Sequence, residues 1–145
     1  MKTVEEILRI KGHATFVISP QAQVFEALQV MADKDIGALI VVENDRVVGI
    51  ISERDYARKV ILEGKASKTL PVSEIMTQEV RYVSPEATIE ECSVLMTRER
   101  IRHLPVLKDG KLAGVISIGD VVNAIISDQA ATIDNLHDYI TGKYV

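Results

Sequence analysis

The sequence predicts an α+β fold, sandwich-like in its layering, built from two copies of a β-α-β-β-α unit. Three observations carry this. The chain repeats itself at a shift of 65 residues: 17–59 laid over 82–124 puts Ser19-Pro20 on Ser84-Pro85, Met31 on Met96 and Leu39 on Leu104. The same shift puts Gly49 on Gly114, Ser52 on Ser117 and Asp55 on Asp120. About a dozen of the 43 aligned positions are identical. The shared Pro, Gly, Ser and Asp weigh most, because apolar residues recur in phase in any two amphipathic segments. Each copy also holds one stretch of helical period and two β-branched runs joined by a polar turn. Units of about 60 residues bury so small a fraction of their surface that each is marginal alone. They should therefore pack together about a pseudo-two-fold axis, sheet against sheet with helices outside.

Taken in order, residues 3–10 place Val4, Ile7, Leu8 and Ile10 near helical spacing and read as a short leading helix. Residues 15–18 read as a brief strand closed by Ser19-Pro20. Over 22–34, Val24, Ala27, Leu28 and Met31 recur at threes and fours, the mark of a helix with one buried stripe. Residues 38–42 and 47–51, joined by Glu43-Asn44-Asp45-Arg46, form a β-hairpin. Ser52 opens a helix that runs to Gly64, and the polar stretch 63–71 is a linker. Residues 72–76 match the leading helix of the first copy. The second hairpin turns at Lys108-Asp109-Gly110-Lys111, where Asp-Gly supplies positive φ. A last helix begins at Ile118 and continues through Ile133, Leu136 and Ile140. The chain thus divides into 1–69 (leading helix and first copy), 70–127 (second copy) and a helical tail, 128–145.

Composition is that of a globular protein, 47% hydrophobic and 26% charged, with no apolar run long enough for a membrane span. A net charge of -4 gives no sign of a nucleic-acid or anionic-membrane partner. The first residues lack an apolar signal core, so a cytoplasmic location is expected. Cys92 is the single cysteine and aligns with Ala27, which reads as a small buried residue; a nucleophile or redox sensor is the other reading. His13, His103 and His137 are far apart and no metal-ligand spacing exists, so no metal is expected.

The duplicated junctions carry the chemistry. Gly49-Ile50-Ile51-Ser52-Glu53-Arg54-Asp55 and Gly114-Val115-Ile116-Ser117-Ile118-Gly119-Asp120 each set a hydroxyl at a strand-to-helix junction and a carboxylate three residues on. Two readings stand side by side. In one, Ser and Asp form a capping box and nothing more. In the other, the first-turn amides and Ser hydroxyl face an anion while Asp grips a sugar diol. Arg54, Arg58, Lys59 and Arg102-His103 could meet phosphates, with a solvated helix face as the plain alternative for the first three. Ile36, Gly37, Ala38, Val83 and Pro105 offer small or flat surfaces to a purine. Gly37-Ala38 stand where the second copy has Arg102-His103, so the two sites should differ.

Paired units reading Ile-Gly-Ala-Leu-Ile-Val-Val, Gly-Ile-Ile-Ser-Glu-Arg-Asp, Arg-His-Leu-Pro-Val and Gly-Val-Ile-Ser-Ile-Gly-Asp resemble a tandem cystathionine-β-synthase (CBS) domain pair, a Bateman module, over about residues 11–126. The resemblance implies a stand-alone regulatory binder of AMP, ADP, ATP, NAD(H) or S-adenosylmethionine in the cleft between repeats, acting in signal transduction. It implies that Asp55 and Asp120 hold ribose hydroxyls and that Ser52 and Ser117 meet phosphate or ribose oxygens. Arg54, Arg102 and His103 would neutralise phosphates, and the stretches Thr15–Val17 and Thr77–Val80 would offer backbone groups to adenine. It further implies a homodimer and a regulated partner protein, with no catalytic cofactor and no enzymatic role. The competing class is an interaction module, for protein or nucleic acid, with vestigial pockets; an enzyme using one cleft is a third.

Overall fold

Residues 2–127 are described by the structure, a computed structural model. The expected tail, 128–145, lies outside the described residues. Helix α1 (Val4–Lys11) starts at Thr3, whose hydroxyl accepts the Glu6 N–H at 3.3 Å, and buries Val4, Ile7 and Leu8. Strand β1 (Val17–Ile18) pairs in parallel with β2 (Ala38–Glu43), which pairs antiparallel with β3 (Arg46–Ser52). Helix α2 (Val24–Lys34) buries the predicted stripe Val24, Ala27 and Met31. After β3 the chain makes one turn of helix, α3 (Glu53–Tyr56), then widens into a π-helical stretch, Ala57–Ile61, where a continuous α-helix was expected.

A 3-10 turn, Val72–Glu74, opens the second copy. There follow α4 (Ile89–Glu99), β4 (His103–Lys108) and β5 (Lys111–Ser117), and then a helix α5 that covers 118–127 of the described residues. The hairpin turns behave alike: Asn44 and Asp45 sit at φ 53 and 62, Asp109 and Gly110 at φ 53 and 77. Positive φ at both central residues is what a tight hairpin between right-twisted strands demands. Helices α2 and α4 likewise stop on equivalent left-handed residues, Asp35 and Arg100.

The copies differ at their first strand. In copy one the Ile40 N–H reaches the Phe16 carbonyl at 3.4 Å. The equivalent residue in copy two is Pro105, which has no N–H to give. The parallel ladder β1·β2 therefore reduces there to a single bridge, Val83 to Val106.

The chain forms two compact units, and neither is a contiguous copy. One holds 14–82 with the hairpin tip 107–113; the other holds 1–13, 83–106 and 114 onward. The leading segments are thus exchanged: α1 belongs with copy two, and 72–76 with copy one. The two leaders seat alike. In the unit of copy one, a Cβ on Gly49 would lie 2.6 Å from Met76 Sδ; in the unit of copy two, a Cβ on Gly114 would lie 2.7 Å from Leu8 Cδ2. Each glycine is the slot for its leader. The core of the copy-one unit joins Val24, Ala27, Met31, Leu39, Val41 and Ile51 to Val72 and Ile75 of the leader. In the other unit the buried residues fall on the same positions: Ile89, Cys92, Met96, Leu104, Val106 and Ile116, with Val4 and Ile7. Cys92 is fully buried, and burial, with Glu91 beside it, pushes its thiol up to about 11. It is a core residue held as the thiol.

Candidate functional site

Both strand-to-helix junctions are capping boxes. Ser52 Oγ accepts the Asp55 N–H at 3.2 Å, and Asp55 Oδ2 accepts the Ser52 N–H at 3.0 Å. Ser117 and Asp120 repeat this at 3.1 and 2.8 Å. The amide between is spent too: Glu53 N–H donates to the Gly37 carbonyl at 3.1 Å, and Ile118 N–H to the Arg102 carbonyl at 2.8 Å. That bond ties helix start to strand entry, and Ala38 stands opposite Ser52 in the ladder. Hence Gly37 and Ala38 meet Ser52 and Asp55 in one unit, and Arg102 meets Ser117 and Asp120 in the other. The same bonds narrow the expectation of open first-turn amides, because three N–H groups at each junction already have acceptors. The second amide of each first turn, at Arg54 and at Gly119, has no acceptor among the described residues and is left, with the side chains, for an anion.

The two carboxylates are not equally occupied. Asp55 Oδ2 also accepts the Ser52 hydroxyl at 3.1 Å, and its Oδ1 takes the Lys59 ammonium at 3.0 Å. Lys59 donates further to the Ile75 carbonyl at 2.9 Å, so it is a clamp and not a solvated face. At Asp120 both bonds fall on Oδ2, from the Ser117 N–H at 2.8 Å and the Lys11 ammonium at 2.7 Å. Lys11 donates as well to the Val115 carbonyl at 2.9 Å. Among the described residues, Asp120 Oδ1 and the Ser117 hydroxyl proton are uncommitted. Burial holds His103 below the ordinary imidazole range, helped by the charges of Lys11 and Arg102 and opposed by Asp120. His103 is therefore a neutral ring within the field of Lys11, Arg102 and Asp120. A hollow of about 270 Å³ opens beside Asp120, with Ile7, Ile10 and Lys11 of α1 on one wall and Asn123, Ala124 and Ser127 of α5 on the other.

Other expected residues are placed less favourably for a ligand. Thr15 is half-buried ahead of β1, Val17 is half-exposed on it, and Ile36 uses its N–H to close α2 on the Met31 carbonyl. Arg54 is half-buried on the first turn of α3. Thr77 spends both backbone groups on Ile50, at 2.8 and 3.0 Å, and the Val80 N–H goes to the Gln78 carbonyl. Those backbone groups are committed to the fold and not offered to a base. Pro105 is corrected also: it is buried in β4, its carbonyl accepting the Val83 N–H at 3.0 Å, and presents no flat face. Lys11 was missed by sequence reasoning. Its signal was the leader offset: Val72 follows Val4 by 68, three more than the 65 relating Val83 to Ile18, and those extra residues are the last turn of α1.

The profile of the CBS domain matches residues 3–62 and 72–127. The chain belongs to the CBS-domain family. It is similar to the mitochondrial CBS domain-containing protein CBSX3 of Arabidopsis thaliana, 38% identical over 98% of this chain and 73% of that protein. A solved CBS-domain protein of Burkholderia ambifaria superposes with TM-score 0.85, 50% identity and coverage of 88% and 96% of the two chains. A CBS domain pair solved with 5′-methylthioadenosine and S-adenosyl-L-methionine shares the fold alone, at 21% identity and TM-score 0.78 over 88% of this chain and 98% of that one. A CBS pair is a regulatory module, and this chain is one. Among the described residues no helix is long and apolar enough to cross a membrane, and no three His, Cys, Asp or Glu side chains are grouped to hold a metal.

Proposed function

We propose that this CBS pair is a regulatory binder of an adenosine nucleotide, AMP, ADP, ATP or NAD(H), without catalytic activity of its own. The observation that carries this is that, among the described residues, Asp120 Oδ1 is uncommitted beside an uncommitted Ser117 hydroxyl proton. A carboxylate oxygen accepts from a ribose diol, the hydroxyl donates to ribose or phosphate oxygen, and Arg102 supplies positive charge. Neutral His103 offers a ring face to a purine. Adenosine ligands in a CBS pair of the same fold support the class of ligand. Asp55, with both oxygens engaged, has to give up the Lys59 contact first, so the Asp120 site fills at lower concentration. Exposed Ile118, Val122 and Ile126, four residues apart on α5, supply an apolar face suited to a homodimer.

The test is a thermal-shift panel of AMP, ADP, ATP, NAD, NADH, S-adenosylmethionine and GTP. A ligand at about 100 times its dissociation constant adds roughly 2.7 kcal/mol, on the order of 5–10 °C for a domain this size. We expect such a shift with an adenosine compound, and two unequal events by calorimetry. No shift with any of them at millimolar concentration sinks the reading. The self-satisfied Asp55 box favours, for that unit alone, the second reading of a vestigial pocket in an interaction module.

A further inference from the structure

Resting on the nucleotide reading above, we infer that Lys11 reads the ligand's phosphate, and so makes the Asp120 site discriminate phosphorylated from unphosphorylated adenosine. An ammonium has three donors. Two are used, on Asp120 Oδ2 and the Val115 carbonyl, and the third is left over. The side chain is 36% exposed and lines the hollow together with Asp120, so that donor has room for an anion beside the carboxylate. Asn123 and Ser127 add polar groups to the same hollow. A nucleotide whose ribose diol sits on Asp120 Oδ1 carries its 5′ phosphate within a lysine's reach. Burial first, and then the Lys11 charge, keeps the His103 imidazole neutral, so the cations at the site are Lys11, Arg102 and, on the wall of the hollow, Lys2.

Nothing equivalent exists in the other unit. Its leader ends in a single 3-10 turn, and its lysine, Lys59, binds its acid from the same helix while donating to the Ile75 carbonyl. Lys11 is thus specific to one site and arrives on a separate element, α1. Reading the phosphate with that third donor ties the ligand to α1 while the other two stay on Asp120 and Val115, and through it occupancy is communicated to the end of α1.

The experiment is isothermal titration of the full chain with AMP and with adenosine, in wild type, Lys11→Met and Lys11→Arg, with melting curves alongside. Methionine keeps the stem and removes the charge. A lost charge-assisted contact is worth about tenfold or more in affinity. Wild type should prefer AMP over adenosine by at least that factor. Lys11→Met should erase the preference while leaving adenosine binding intact or tighter, and Lys11→Arg should restore most of it. Equal losses for both ligands in Lys11→Met, or an unchanged AMP affinity, overturn the inference and leave the nucleotide reading standing. Wild type binding neither compound overturns both together.

Discussion

At the scale of single residues, the site is decided by which oxygens and protons are already spent. His103 illustrates the energetics. Its fold holds it neutral, while the unfolded chain binds a proton near the ordinary pKa of about 6.5. The unfolded state therefore carries more protons between the depressed value and 6.5, and stability falls as pH drops through that window. Urea midpoints measured from pH 7.5 to 5 should decline, and His103→Gln should flatten the decline; an unchanged slope would remove His103 as its cause. Binding a phosphate nearby would raise the imidazole above its value in the free fold, so AMP binding should take up a proton there as pH falls, an uptake that His103→Gln removes. The capping boxes of Ser52 with Asp55 and Ser117 with Asp120 were legible because a motif written twice stands out from chance. Pro105 was misread, since a sequence does not say which side of a strand faces inward. Lys11 was invisible because its partner, Asp120, is 109 residues away.

Elements follow from local chemistry more closely. The helical stripes of α2 and α4, the paired hairpins and the turn residues were all legible, because period, β-branching and Asp-Gly act over a few residues. The π-helical stretch at Ala57–Ile61 was not, since it changes how the helix closes and not which residues are apolar. The leader slots are the part of the fold most open to test. Gly114→Ala would put a methyl 2.7 and 2.9 Å from the Leu8 methyls, in a place where Leu8 is fully buried. Overpacking of this kind costs about 1–3 kcal/mol. In a Leu8→Ala background the added methyl should cost far less, because the cavity accepts it. A double-mutant cycle by urea denaturation measures this coupling; strictly additive losses would mean that Leu8 and Gly114 do not share a slot. Gly49→Ala should be harsher, as the Thr77 backbone carbonyl stands 3.0 Å away and cannot rotate aside as a side chain can.

For the whole molecule, repeat and folding unit are different things. Self-similarity revealed two copies, but the exchange of leaders could not be read from it, because matching segments look the same whichever unit they complete. A fragment cut at the repeat boundary, 1–69, keeps α1 without Gly114 and leaves Gly49 without Met76. The fragment 14–82 retains Met76, Val72 and Ile75 with their core. Far-UV circular dichroism melts should show a cooperative transition in 14–82 and little in 1–69; the reverse order would contradict the assignment of leaders. The exchange bears also on birth at the ribosome. Helix α1 has no seat until Gly114 and Ala124, more than a hundred residues later, have left the tunnel. At about 5–20 residues per second it waits several seconds or longer as a lone eight-residue amphipathic segment, too short to hold its own shape in water. A segment synthesised ahead of its whole unit is docked only once that unit is complete, and in that interval a chaperone or a sibling chain has its best opportunity to claim it.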